Sequence, residues 1–395
     1  MSSSIPKTHS GYLVEAPGLG LSSVKLVKDQ QTPEPKFGQV LVAVKAVSLN
    51  YRDWAVITGT YPGVKPDLVP CSDASGEVVA LGEGVSNWAL GDRVMGIFTQ
   101  GQLAGAYDDA NYPNTALGAG ADGVLTEYKV FNEQGLVRIP QHLSWEEAAT
   151  LPCAAVTAWN SLFGAEQGAP SLMPGQTVLL QGTGGVSCIG AQVRCPFTAT
   201  SAIGADHSSL LPPLSPTHTP QLALLAGAQV IVTSSSDEKL AILVDHIQAS
   251  RNGGGVGPLH TINYKTFPDW DKKALEITGG KGVDFVLEVG GAGTLEKSFA
   301  ALRQGATIID IGFLAGGADV QLPNVAMSTL FKSAIFRGVL IGSKKNFEAL
   351  NSAIISSGLK PIVSKVYAFE DAPQAYLDQS KSGVVGKVVI RVAKQ

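Results

Sequence analysis

Cysteine is scarce in this chain: four among 395 residues, at positions 71, 153, 188 and 195, with no pair spaced as CxxC. That spacing excludes a disulfide framework and a four-cysteine structural zinc site. Charge is also thin, 16% of residues with a net charge of -4. Without a basic excess there is no field for nucleic acid or an anionic membrane, and neither is expected as a partner. No uncharged apolar run reaches the roughly 18 residues needed to span a bilayer. The opening Met1-Ser2-Ser3-Ser4-Ile5-Pro6-Lys7 lacks the basic-then-apolar order of a secretory signal, so the cytosol is the expected compartment.

What the chain does have is enough apolar content, 45% of residues, for two domains with sizeable cores. Short apolar or alternating runs at 38–47, 76–81 and 92–97, separated by Gly, Pro and Asn, predict a small twisted β domain. Beyond Trp159 the pattern changes. Strand-like runs at 177–182, 229–234, 261–264, 283–289, 307–312 and 336–341 alternate with helical stretches, which predicts a doubly wound parallel sheet. Segments 362–369 and 386–392 look like strands returning to the first domain. The reading is therefore α/β, with a β-rich domain over 1–158, a dinucleotide domain over 159–343 and a C-terminal return over 344–395.

The most informative stretch is Thr177-Val178-Leu179-Leu180-Gln181-Gly182-Thr183-Gly184-Gly185-Val186-Ser187. An apolar strand running into a glycine turn and then a helix presents backbone N–H groups to a pyrophosphate, so Gly182, Gly184, Gly185 and Val186 are cofactor-binding candidates. Ser187 stands where the third glycine of the fingerprint belongs, which predicts a helix slightly farther from the strand. The next strand ends at Ser234 and Ser235, with Lys239 one helical turn on, where an NAD site usually has an acid. Hydroxyls and a lysine suit a 2′-phosphate, hence NADPH; a serine helix cap beside a solvated lysine reads the same residues without a ligand.

In combination, Asn50-Tyr51-Arg52-Asp53, Gly91-Asp92-Arg93-Val94, Ala148-Ala149-Thr150-Leu151-Pro152, Thr157-Ala158-Trp159, the glycine turn and Val283 through Gly291 resemble the zinc-independent medium-chain dehydrogenases/reductases, nearest in motif to quinone oxidoreductase-like proteins. The resemblance covers nearly the whole chain in order. It implies a GroES-like catalytic domain, a Rossmann domain with a cleft between them, and a homodimer formed through the cofactor-sheet edge near 336–341. It also places Thr157 near the nicotinamide, Gly290 and Gly291 where the chain passes the cofactor, Phe313 and Leu314 facing the carboxamide, and Gly342 and Ser343 at the domain junction.

Zinc-dependent relatives carry Cys, His and Cys where this chain has Asn50, Ser72 and Cys153, so no metal is expected. Hydride must then go to a carbon made electrophilic by conjugation, as in quinones and α,β-unsaturated carbonyls, with the cofactor supplying the hydride and the protein orientation and charge. Tyr51, a phenol protonated at neutral pH, is the candidate donor to a developing enolate, and Asn50 the residue orienting substrate or ribose. Asp92 and Arg93 read as a turn ion pair, Glu288 as an acid bonding nearby backbone or ribose, and 105–123 as a substrate-side loop. Two alternatives stay open: an NADP-dependent alcohol or aldehyde dehydrogenase, and a binding protein without activity.

The second alternative comes from residues 193–221, a Pro-, Ser- and Thr-rich stretch with no helical period that interrupts the crossover after the glycine turn. Removing it joins 185–192 to 222–228 as one helix with a glycine stop. It also sets Ser234 roughly 23 positions past Gly182, near the fingerprint's spacing of about 20. A retained in-frame intron would read this way, since valine codons begin GT and a glutamine codon is CAG; a long surface loop would too. Transcript reads across 192–222 with no shorter product would exclude the intron.

Overall fold

The computed structural model describes residues 5–107, 112–164, 168, 170–192, 227–249, 257–312, 314, 323–381 and 383–392. The proposed insertion, 193–221, and Phe313 lie outside them.

The chain opens with an antiparallel pair, β1 (Thr8–Val14) and β2 (Val24–Gln31). Five strands of the first domain follow: β3 (Gln39–Ser48), β4 (Asp73–Leu81), β5 (Arg93–Gly96), β6 (Tyr128–Asn132) and β7 (Leu136–Arg138). The valine-rich run of β3 makes it the hub, because β-branched side chains pack well on a pleated surface. It pairs antiparallel with β4 on one side and with β6 along its first half.

The second sheet contains β8 (Thr177–Gln181), β9 (Gln229–Ser234), β10 (Leu259–Asn263), β11 (Val283–Glu288), β12 (Leu302–Asp310) and β13 (Ile335–Gly338). All pair in parallel, in the order β10-β9-β8-β11-β12-β13. Strand order reverses between β8 and β11, the crevice where doubly wound sheets bind their ligands. All of β8 and β11 is buried, as helices on both faces require. Strand β12 starts five residues earlier than the sequence pattern suggests, since Leu302 extends directly from the helix Leu295–Ala301 and a register shift opposite Val283 absorbs Gly305.

The chain then returns: β14 (Val363–Ala368) pairs with β15 (Lys387–Arg391), which pairs antiparallel with β3, Val389 opposite Ser48. The cofactor-sheet domain is thus inserted between β7 and β14. The boundary at 344 coincides with the start of the helix Lys344–Ser357, which buries Phe347 and Leu350 in a cluster shared with Ile97, Val137 and Ile139 of the first domain and with Val178 and Leu180 of the second. The boundary at 158 falls inside a helix, Val156–Phe163. The turn ion pair is corrected as well: Asp92 pairs with Arg138 at 2.9 Å, while Arg93 donates to the Leu143 carbonyl at 2.7 Å and stacks on Trp145. Among the described residues no helix is long and apolar enough to cross a membrane.

Candidate active site in the interdomain cleft

A parallel sheet puts the carboxyl ends of its strands on one edge, so the turns after β8, β9, β11 and β12 share that edge. Gly182 has φ +79°, a backbone state that favours glycine, and a Cβ built on Gly182 or Gly184 would meet nothing within 4 Å. This open glycine turn leads into the helix Gly185–Gln192, whose first turn offers unpaired N–H groups and a positive dipole end. The arrangement fits a pyrophosphate, and with it a dinucleotide. Ser187 does not hold the helix away. It is buried and its hydroxyl donates to the Gln181 carbonyl at 2.7 Å, tying helix to strand.

Under the turn lies a closed polar network. Gln181 Nε2 donates to Glu288 Oε2 at 2.7 Å and to Ser298 at 2.8 Å. Glu288 Oε1 accepts from the Gly290 and Gly291 amides at 2.8 and 3.0 Å and from the Thr294 hydroxyl at 2.6 Å. Glu288 is fully buried, so it shapes the Gly290–Gly291 turn through backbone contacts. Ser234 is buried and Ser235 half-buried at the tip of β9, with Lys239 in the helix Asp237–Ala249. Leu314 is half exposed beyond β12, its amide bonded to the Val289 carbonyl at 3.0 Å.

The catalytic domain reaches this turn from the other side. The Gly386 amide donates to the Thr183 carbonyl at 3.1 Å, and Gly184 and Gly386 form a parallel bridge. Lys387 then crosses behind Gly185, where an added Cβ would come within 2.6 Å of the lysine Cδ. Its buried ammonium donates to the Leu49 carbonyl at 2.7 Å and to Asn50 Oδ1, and lies 3.8 Å from Asp73 Oδ2. Asp73 also accepts from Ser72 Oγ at 2.6 Å and from the Cys153 amide at 3.1 Å. Asn50 and Ser72 are thus committed to a lysine and an aspartate. With Cys153 they make a donor set that does not fit zinc, and the described residues contain no group of three His, Cys, Asp or Glu side chains able to hold a metal. Burial pushes the Cys153 thiol well above its ordinary range.

Asn50 caps the helix Tyr51–Ile57 and its amide donates to Asp53 Oδ2 at 2.7 Å. Tyr51 sits beside it, half exposed, and its hydroxyl has no hydrogen-bond partner among the described residues. Thr157 is buried with its hydroxyl donated to the Cys153 carbonyl at 2.7 Å, leaving only acceptor capacity. Gly342 lets the chain pass the helix Val156–Phe163, since a Cβ there would lie 2.9 Å from Val156 Cγ1. Ser343 caps the helix Lys344–Ser357, accepting from the Asn346 amide at 3.2 Å. Ile341, held at φ +58° with its carbonyl accepting from Asn160 Nδ2 at 2.9 Å, and Cys71, at φ +68°, are strained positions at either side of the cleft.

The segment from Gln102 to Tyr107 is stapled to the chain around Leu340–Lys344. The Lys344 amide donates to the Gln102 carbonyl at 2.8 Å, and the Tyr107 hydroxyl donates to the Leu340 carbonyl. Burial raises the Tyr107 pKa above its ordinary value, and the side chain lies near Thr99, Cys153, Tyr61 and Gly342. Contacts therefore join Gly185, Asn50, Thr157 and Gly342 through Lys387 and the segment Leu151–Ala155. Gly290, Gly291, Ser234, Ser235 and Leu314 line up along the strand ends instead. Sequence reasoning missed Lys387, Asp73 and Tyr61. The signal for Lys387 is a lone charge opening the otherwise apolar Val388-Val389-Ile390.

Residues 36–141 match the alcohol dehydrogenase GroES-like domain family and residues 217–356 the zinc-binding dehydrogenase family. A zinc-type alcohol dehydrogenase-like protein of Schizosaccharomyces pombe is 38% identical over 90% of this chain and 91% of its own. A quinone oxidoreductase of Lama guanicoe is 25% identical over 94% of each. The crystal structure of a putative alcohol dehydrogenase from Sinorhizobium meliloti superposes with a TM-score of 0.78 at 33% identity, covering 98% of this chain and 100% of that one.

Proposed function

Because the chain belongs to the medium-chain dehydrogenase/reductase family of nicotinamide-dependent oxidoreductases, we propose that it is a zinc-independent, NADPH-dependent reductase of quinones or α,β-unsaturated carbonyls. The observation that carries this reading is the commitment of Asn50 to Lys387 and of Ser72 to Asp73 at the positions where zinc relatives bind their metal. An alcohol has no activating Lewis acid there, whereas a conjugated carbonyl needs only hydrogen-bond donors. The quinone oxidoreductase relative supports the same substrate class.

NADPH, when bound, supplies the hydride. Gly182, Gly184, Gly185 and Val186 would hold the pyrophosphate, and Ser234, Ser235 and Lys239 the 2′-phosphate. Thr157, Gly290, Gly291, Leu314 and Gly342 would line the path to the nicotinamide. Ser343 supports that path through its helix cap, Tyr51 would donate to the developing enolate at the cleft mouth, and Asn50 would orient the substrate or the ribose.

The test is NADPH consumption with a panel of quinones and enones, run beside NADP-dependent alcohol oxidation and metal analysis. Reduction of a conjugated carbonyl by metal-free protein, with NADPH preferred over NADH, is expected. Alcohol oxidation with one zinc per chain would overturn the reading. We also propose a homodimer, since β13 is the edge strand of the sheet among the described residues and the adjoining helix Val325–Lys332 exposes Leu330 and Phe331 at 70% and 69%. The cytosolic assignment is tested by cell fractionation.

A further inference from the structure

Arg52 is the second residue of the helix Tyr51–Ile57 and is only 9% exposed. Its guanidinium lies 4.6 Å from the ring centre of Phe98 and 5.7 Å from that of Tyr61. The nearest carboxylate oxygen, Asp53 Oδ1, is 3.6 Å from Nη2, beyond hydrogen-bonding distance. Nε, Nη1 and Nη2 are all buried without a hydrogen-bond partner among the described residues. A structural arginine would fork onto its carboxylate; here Asp53 Oδ2 accepts from the Asn50 amide, and Oδ1 stands 3.6 Å from Nη2 with no hydrogen bond of its own among the described residues. Five donors without acceptors in a desolvated site are unfavourable, and a guanidinium does not relieve them by losing its proton. An acceptor from a ligand would satisfy them. The surroundings are those of the cleft, for Arg52 interacts electrostatically with Tyr61, Cys153 and Asp73.

We propose that Arg52 is a catalytic residue, whose guanidinium donates hydrogen bonds to the carbonyl oxygen of a flat, uncharged conjugated substrate and stabilises the negative charge that reaches this oxygen during reduction. This rests on the reductase reading above and names the electrophilic group of that same site. An uncharged substrate is favoured by the charges already present: Arg52 and Lys387 balance Asp53 and Asp73. A carboxylate would bring a net charge into a desolvated cluster, whereas a carbonyl brings none and develops it only in the transition state, where a preorganised donor counts most. The rings of Phe98 and Tyr61, over which the guanidinium itself lies, make the walls around it aromatic and apolar, which suits an uncharged conjugated substrate better than a charged one.

NADPH, if bound, would supply a hydride for the new C–H bond at the carbon conjugated to the carbonyl and would be left oxidised. The C=C pair shifts toward the carbonyl carbon and the C=O pair moves onto oxygen. Arg52 keeps all its protons, and water supplies the proton that completes the product.

The experiment uses the full chain and its Arg52→Met and Arg52→Gly variants, with the best conjugated carbonyl found for the wild type. Arg52→Met should lower kcat by about 10²- to 10³-fold with KM and NADPH affinity changed far less, and added ethylguanidinium should restore part of the rate of Arg52→Gly. A second readout needs no cofactor: 4-nitrophenol bound to the wild type should ionise at lower pH than in water, and Arg52→Met should abolish that shift. Retention of kcat by Arg52→Met within about threefold would overturn the proposal, as would a Gly variant that melts early and gains nothing from ethylguanidinium. If the wild type reduces no conjugated carbonyl, the reductase reading fails, and the nitrophenol titration alone decides Arg52: a shift supports it as an oxyanion site and no shift rejects it.

Discussion

At the scale of single residues, the cleft is governed by how closely a few backbones and charges approach. Gly185 owes its identity to Lys387 and Ala154, whose Cδ and Cβ would lie 2.6 and 3.1 Å from an added Cβ. Gly185→Val should therefore destabilise the protein by about 1–3 kcal/mol through overpacking, read as a lower urea midpoint, and should displace Lys387 from Asn50. Gly182 differs: an added Cβ meets nothing, so Gly182→Ala should cost only the strain of its left-handed φ, about 1 kcal/mol. Asp53 gives a pH signature. Burial raises its pKa in the folded state against the opposing pull of Arg52. A raised carboxyl pKa means that the folded state binds more protons, so its stabilising effect is present at low pH and fades as pH rises through the folded value. Asparagine keeps an acceptor for the Asn50 amide and removes the titration. In urea unfolding, Asp53→Asn should gain stability relative to wild type between pH 4 and pH 7. Equal pH slopes for the two proteins would reject the assignment.

At the scale of elements, two helix starts that look alike in sequence do different work. The helix Gly185–Gln192 has an open glycine turn ahead of it, suited to an anion. The helix Lys344–Ser357 is closed by its own capping box between Ser343 and Asn346. Ser343→Ala should consequently cost about 1 kcal/mol of stability while NADPH affinity measured by fluorescence titration stays within twofold. The strand-then-glycine pattern at 177–185 made the glycine turn between β8 and its helix legible, because a turn of that kind is a local backbone requirement. Lys387 and Asp73 were not legible, because they lie 314 positions apart (387 − 73) and meet only once β15 is laid against β3. Arg52 stood in plain view inside Asn50-Tyr51-Arg52-Asp53, yet the lack of acceptors around it is a property of the folded cleft. The Asp92–Arg93 reading failed for a related reason: neighbours in sequence on an extended backbone point apart, and each found its partner across the fold.

At the scale of the whole molecule, the edge strand β13 and the exposed Leu330 and Phe331 form the surface that the proposed homodimer would cover. Phe331→Asp should shift sedimentation from dimer to monomer with the melting temperature of the monomer little changed; an unaltered dimer would place the interface elsewhere. Residues 193–221 belong to this scale too, since they lie in sequence between β8 and β9, where the composition reads as an insertion. Deleting them should leave NADPH binding intact or strengthen it. Loss of binding on deletion would show that the segment is part of the working fold.

The sequence by itself determined the α/β class, the family, the parallel doubly wound character of the second sheet and the glycine turn. These follow from short-range periodicity and from backbone states that few residues tolerate. Tertiary structure alone decided which polar groups have partners. Asn50 and Ser72 are committed to Lys387 and Asp73, while the Arg52 donors are left without acceptors. The physical reason is that burial and hydrogen-bond satisfaction are set by groups arriving from distant parts of the chain, and spacing along the sequence does not encode their meeting.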